Sequence, residues 1–191
     1  MSDSVTRIDA AAVRLEPLDR RWLEDVAALV ADPQVRHFTR IPEPPPERFA
    51  ENWIDRYVSG RGPRGPREGF AALDAEGAFL GLALAPHIDH DGGEIELGYM
   101  VSEGSRGRGA ARAMLTLMTR WALVELGLQR AYLIIDVEND ASQRVADRCG
   151  YTLEGVMRSI LLKPGRRIDA GLWSRLPGDP PPPGEATATA G

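Results

Sequence analysis

Between Glu94 and Leu126 the hydrophobic period of the chain changes once, across a run of glycine and arginine. The first part, EIELGYMVS, alternates. Ile95, Leu97, Tyr99 and Val101 fall on one face, and Glu94, Glu96, Gly98 and Met100 on the other, which is the period of a strand. After RGRGAA the pattern turns helical from about Gly109 to Leu126 and stops at Gly127. RAYLIIDV, residues 130–137, then reads as a buried strand. A strand, a helix and a second strand in this order predict a βαβ unit near the middle of the domain, and the rest of the chain has to be arranged around it.

The flanking segments supply the remaining elements. AAVRLEPL (11–18) reads as a strand. DRRWLEDVAALVAD (19–32) opens on an Asp cap and places Trp22, Val26, Leu29 and Val30 on one helical face. PEPPP (42–46) is a stiff connector. ERFAENWIDRYVSG (47–60) carries the apolar stripe Phe49, Trp53, Ile54 and Tyr57 of a second helix. RGPRGPREG (61–69) is a mobile loop, and FAALDAEGAFLGLALAPH (70–87) is a hairpin turning near 75–77. NDASQRVADRCG (139–150) is a short helix ended by glycine, and YTLEGVMRSIL and RIDAGLWSRL form a closing antiparallel pair. The expected architecture is an α/β (α+β) domain with a mixed, mostly antiparallel central sheet flanked by helices. It is expected to span residues 9–176, with a flexible N-terminus at 1–8. The tail at 177–191, rich in proline, alanine and threonine, is expected to be disordered because it cannot bury a core.

Composition narrows the function classes. A net charge of −5 argues against general nucleic-acid binding and suits a cationic or amine substrate. No apolar run approaches the roughly 18 residues that span a membrane, and the first residues lack the layout of a signal peptide. Cys149 is the only cysteine, which fits a reducing cytoplasm. Lys163 is the only lysine among 23 basic residues, a bias that points to a GC-rich bacterial source. HIDHD (87–91) has no second cluster to complete a metal site, so no metal is expected.

RGRGAA stands where a strand meets the N-terminus of a helix. The first amides of a helix have no internal partner and sit at the positive end of its dipole. Gly107 and Gly109 remove the Cβ atoms that would keep a ligand from the backbone. Ala110 and Ala111 keep the first turn open, and Arg106 and Arg108 add charge. These features make a pyrophosphate cradle; the same residues also describe a glycine-rich start of a surface helix. The order Gly-x-x-Gly-x-Gly from Gly104 is not the dinucleotide-binding pattern, and no Gly-Lys-Ser/Thr follows, so a nucleotide kinase is disfavoured.

Arg106-Gly107-Arg108-Gly109-Ala110-Ala111 resembles the Arg/Gln-x-x-Gly-x-Gly/Ala signature of the GNAT superfamily of acyl-CoA-dependent N-acetyltransferases. ELGYMV resembles the strand before it. VENDASQRVADRCGYTLEG (137–155) resembles the second cofactor segment, in which Asn-x-x-Ser opens a helix that ends in Gly-Tyr. The similarity runs from about Glu94 to Arg158, and it is strongest to the RimJ/RimL branch, which includes acetylases of ribosomal-protein N-termini. The resemblance implies acetyl-CoA as cofactor, its pantetheine arm lying along Met100, Val101 and Ser102 like an added strand. It implies the pyrophosphate on the amides from Arg106 to Ala111. Asn139 corresponds to a pantetheine-bonding asparagine, and it serves equally as a helix N-cap.

Acetyl transfer to an amine needs a proton acceptor, because a free amine is mostly protonated near neutral pH. It also needs oxyanion donors and a group that stabilises the departing thiolate. Glu96 matches the Glu of the family's Glu-x-Gly-Tyr pattern and is the expected base, with Glu94 two residues away as a relay or a rival. The oxyanion donor is expected to be the N–H of Met100 or Val101. The tyrosine that many members carry seven residues after the asparagine is replaced here by Ala146; the RimJ/RimL branch suggests Ser142 instead, as acid or simply as a helix-start residue. Phe38, Trp53 and Tyr57 belong to the half where the family builds its acceptor pocket. The expectation is a cytoplasmic N-acetyltransferase acting on a primary amine, either a protein N-terminus or a small molecule, without nucleic-acid or membrane partners; the resemblance also allows a homodimer, for which the sequence shows no interface. The rival is a non-catalytic acyl-CoA-binding module on the same fold.

Overall fold

In the computed structural model, which describes residues 12–163 and 165–183, the elements follow one another as β1 (Arg14–Pro17), α1 (Leu23–Ala31), α2 (Pro33–Phe38), α3 (Phe49–Gly60), β2 (Glu68–Leu73), β3 (Phe79–Asp89), β4 (Glu94–Val101), α4 (Ala110–Arg120), β5 (Arg130–Asp136), α5 (Asp140–Arg148), β6 (Thr152–Lys163) and β7 (Arg166–Arg175). The seven strands form one sheet in the order β1-β2-β3-β4-β5-β7-β6. Only β4 and β5 run parallel, joined through α4. The mixed, mostly antiparallel sheet with its central βαβ unit is therefore the architecture expected from the pattern. Residues 1–8 and the tail beyond 183 lie outside the described residues.

Local chemistry sets the element boundaries. Asp19 caps a short 3₁₀ turn, accepting from the Arg21 amide, before α1 begins. Asp32 ends α1 and caps α2, accepting from the amides of Gln34 and Val35, with Pro33 in the first turn where it has no hydrogen bond to lose. α2 is too short to show a helical period, and sequence periodicity does not find it. The last turn after α4, Trp121–Glu125, widens to π geometry before Gly127, whose φ of 68° suits glycine.

Two cores lie on opposite faces of the sheet. On one face Ile95, Leu97, Ala131, Leu133 and Ile135 pack with Ala113, Met114, Leu115 and Met118 of α4. On the other face Leu82, Leu84 and Met100 pack with Val26, Leu29, Ile54 and Tyr57 of α1 and α3. β4 is thus covered on both sides, and the residues of its two faces look into different compartments.

Candidate active site

The β4–β5 ladder is short. It pairs Glu94 with Arg130, Ile95 with Ala131 and Glu96 with Tyr132, and no pairing follows. Beyond Glu96 the strands diverge. The gap opens into a cleft of about 1350 Å³ lined from β4, β5, α2, α3, the turn before α4, and α5.

The exposed edge of β4 has a defined hydrogen-bonding character. Ser102 N donates to Leu80 O at 2.9 Å on the β3 side. The register pairs Met100 with Leu82 and Val101 with Gly81. In an antiparallel ladder alternate residues turn their N–H and C=O to the same neighbour. Met100 therefore points its backbone at β3, and Tyr99 and Val101 point theirs into the gap. Of the two expected oxyanion donors, the Val101 N–H turns into the gap and the Met100 N–H turns to β3; the Met100 side chain packs in the α1–α3 core, and the residue also lines the cleft. The Ser102 hydroxyl bonds Leu80 O and Ser105 Oγ, both at 3.0 Å, and Ser102 is outside the cleft lining.

At the far side of the gap α4 begins. Gly107 and Gly109 have φ of 71° and 101°, in the left-handed region that residues with a Cβ avoid. Gly109 is the N-cap of α4 and supplies no side-chain cap. The first amides of the helix thus lack a side-chain partner and face the cleft beside Ala110 and Ala111. This cradle fits a pyrophosphate. The guanidinium of Arg106 does not hang free over it: Arg106 is ion-paired with Asp32 and donates to Gln34 Oε1 at 3.0 Å. Its role is to clamp the turn to the start of α2. Arg108 donates to Gly104 O at 3.4 Å. Arg112, Arg144 and Arg148 complete the basic lining at this end.

Asn139 caps α5, its Oδ1 accepting from Ser142 N at 3.0 Å. The cap role is present, and the residue also lines the cleft. The Ser142 hydroxyl lies 2.7 Å from Tyr99 OH. Burial pushes the Tyr99 phenol above the ordinary tyrosine value, so it stays a hydroxyl at neutral pH. Sequence reasoning placed Tyr99 only on a packing face. Its position three residues after Glu96, in Glu-x-Gly-Tyr, was the available signal.

Glu96 sits at the apex of the gap on the opposite face from Tyr99. Its side chain is 15% exposed, and Arg40 Nη2 donates to it at 3.2 Å. Glu94 does not line the cleft and leans toward Arg130 at 3.7 Å. Phe38, Trp53 and Tyr57 line the same cleft as Glu96, together with Arg40, Arg56 and Arg67. Burial and the Glu96 charge push the Tyr57 phenol up to about 12, against the opposing pull of Arg56, Arg67 and Arg40. The three arginines come from three separate segments, and sequence reasoning did not single them out. The 87–91 run, HIDHD, forms the end of β3 and its turn, and its residues do not line this cleft. Cys149 is buried, with Thr116 Oγ1 and Arg112 O each 3.8 Å from its sulfur.

A family model described as an acetyltransferase (GNAT) domain matches residues 12–152. The spermidine N(1)-acetyltransferase of Escherichia coli K12 is 26% identical over 148 residues, 76% of either chain. The putative ribosomal N-acetyltransferase YdaF of Bacillus subtilis is 28% identical over 106 residues, 56% of this chain and 58% of that one. Among solved structures, the spermidine N-acetyltransferase of Vibrio cholerae in complex with CoA and spermine superposes with a TM-score of 0.77 at 20% identity, covering 87% of this chain and 96% of that one. The ribosomal L7/L12 alpha-N-protein acetyltransferase RimL superposes with a TM-score of 0.77 at 21% identity, covering 86% and 90%.

Proposed function

The chain belongs to the GNAT family of acetyltransferases, and from that premise we propose how its cleft carries out the transfer. It is an acetyl-CoA-dependent N-acetyltransferase, and its acceptor is an amine. The observation that carries the assignment of roles is the parting of β4 from β5 immediately after Glu96, which leaves an unpaired strand edge leading to a helix N-terminus.

Acetyl-CoA supplies the acetyl group as an activated thioester. Gly107, Gly109, Ala110 and Ala111 hold its phosphates with backbone amides, where the helix dipole favours negative charge. Tyr99 and Val101 turn backbone groups into the gap, where they would hold the pantetheine arm as a strand edge binds an added strand, and Asn139, which lines the cleft, would bond the same arm. Val101 N–H stabilises the oxyanion at the reacting carbonyl. Glu96 accepts the amine proton, directly or through water, and Arg40 holds its carboxylate in place. Ser142, backed by Tyr99, donates to the departing sulfur from the opposite face. Base and acid therefore stand on the two sides of the gap, and neither blocks the other.

The acceptor is a primary amine, either a protein N-terminus or a small molecule. The same reading includes one catalytic domain over residues 9–176 and a cytoplasmic location. The location is supported by a single free cysteine and by the lack, among the described residues, of any helix long and apolar enough to cross a membrane. The decisive experiment is calorimetric titration with acetyl-CoA, with desulfo-CoA and ATP as comparisons, followed by thiol release with a panel of amines. Binding of both CoA species with ATP silent, and CoA release that depends on Glu96, is the expected result. Full turnover by Glu96→Gln removes Glu96 from the role of base.

A further inference from the structure

The acceptor end of the cleft is positively charged, although the chain as a whole carries −5. Arg40, Arg56 and Arg67 line it around Glu96 and Tyr57. All three, with Glu96, act on the Tyr57 phenol through space, so their charges converge on one small volume. Arg40 is paired with Glu96. Among the described residues the guanidinium groups of Arg56 and Arg67 have no ion-pair partner and no hydrogen bond, and Arg67 Nε is buried with none. The other charged groups nearby are Lys163 and Asp136, which line the cleft and act on each other, and Glu43, which acts on Lys163. Lys163 is held by the carbonyls of His37 and Thr39 at 2.6 and 2.5 Å. Asp136 is buried, with Oδ1 accepting from Glu138 N at 2.9 Å and Oδ2 unpartnered.

Arg67 is half-buried, and a guanidinium buried in part without an acceptor is costly; Arg56 is exposed, and the planar fork of either side chain fits a carboxylate or phosphate. From this arrangement we infer that the acceptor amine carries an anionic group, carboxylate or phosphate, that docks on Arg56 and Arg67 while the amine reaches Glu96. The inference rests on the acetyltransferase reading of the same cleft and names its acceptor class. A polycation would bring ammonium groups against these guanidinium groups and is selected against. The positive surroundings also favour the neutral, nucleophilic form of the bound amine, because a like charge disfavours the ammonium. An acidic N-terminal peptide and a small anionic amine share this chemistry.

The test measures kcat/KM by CoA release for paired acceptors. One arm compares the peptides Ser-Asp-Glu-Ala and Ser-Lys-Lys-Ala; the other compares glucosamine 6-phosphate with glucosamine; spermidine is the polycation control. The expected result is a preference of about tenfold or more for the anionic member of at least one pair, the scale of one charge-assisted hydrogen bond. The arm that shows it identifies the source of the charge. In Arg56→Glu, an exposed position that tolerates substitution, and in Arg67→Gln, that preference falls while acetyl-CoA affinity stays as in the parent. Spermidine or the neutral and basic members turning over as well as the anionic ones overturns the inference and leaves the acetyltransferase assignment standing. Acetyl-CoA binding without CoA release for any of these amines overturns the inference together with the proposed catalytic roles.

Discussion

The phenol oxygen of Tyr99 lies 2.7 Å from the hydroxyl of Ser142, tying the exposed edge of β4 to the first turn of α5. Ala146 stands where many GNAT members carry a tyrosine that serves as the acid, and this hydroxyl pair lines the cleft. Ser142→Ala is expected to lower kcat by about 10²-fold, the usual scale of one proton donor, with acetyl-CoA affinity little changed. Tyr99→Phe should give a smaller loss, because it removes only the partner of the donor. Steady-state kinetics beside calorimetry separate the two quantities, and an unchanged kcat in Ser142→Ala removes the pair from the mechanism.

Glu96→Gln keeps the shape of the side chain and its contact with Arg40 while removing the proton acceptor. A fall of about 10²-fold in kcat/KM is expected, and Glu94→Gln should fall far less, because Glu94 lies outside the cleft lining. The reverse ranking would make Glu94 the base.

Gly109→Glu tests the cradle. A residue with a Cβ at φ 101° costs about 1–2 kcal/mol, and the new carboxylate stands where the phosphates bind. Acetyl-CoA affinity should drop more than about tenfold, and thermal melting should report only the smaller backbone cost. Intact affinity would mean that the phosphates bind elsewhere.

Lys163, the only lysine, reaches from β6 to the carbonyls at the end of α2, donating to His37 O at 2.6 Å and Thr39 O at 2.5 Å. Positive charge at a helix C-terminus is favourable. Lys163→Met should destabilise the fold by about 1–3 kcal/mol by chemical denaturation, the cost of leaving those carbonyls unpartnered. It should also raise KM for the acceptor more than it lowers kcat, since α2 walls the acceptor end.

Alkaline pH should weaken the fold in a predictable window. Burial raises the phenols of Tyr57, Tyr99 and Tyr151, Tyr57 to about 12. In the unfolded chain these groups ionise near ~10. Above that pH the unfolded state sheds protons that the native state keeps, so stability is complete below pH ~10 and declines as pH rises through the native values. Melting temperatures measured from pH 8 to 11.5 should show the decline, and Tyr57→Phe should make it shallower.

The βαβ unit, the sheet and the glycine turn before α4 were legible because each rests on neighbours in sequence: the alternation from Glu94 to Val101, the glycines at 107 and 109, and the Asn139 cap. The acceptor wall was not. Arg40, Arg56 and Arg67 belong to a connector, a helix and a loop, and only the tertiary fold brings them to one place. α2 escaped because a single turn and a half leaves no period to read, although Asp32-Pro33 was a helix-start signal in plain view. The total charge of −5 suited a cationic or amine acceptor, whereas the side chains lining the cleft beside Glu96 include Arg40, Arg56 and Arg67. A sum over the whole chain does not determine the field inside a cleft.

The short ladder between β4 and β5 has a consequence for the lifetime of the protein. A sheet with only Glu94, Ile95 and Glu96 paired across its middle seam relies there on α4 packed over one face, and a ligand that fills the gap adds to that hold. A ligand that binds only the folded state adds stability in proportion to the logarithm of its concentration. Resistance to proteolysis should therefore rise with the supply of acetyl-CoA. A cell short of activated acetyl groups would then lose the enzyme by turnover as well as by want of substrate.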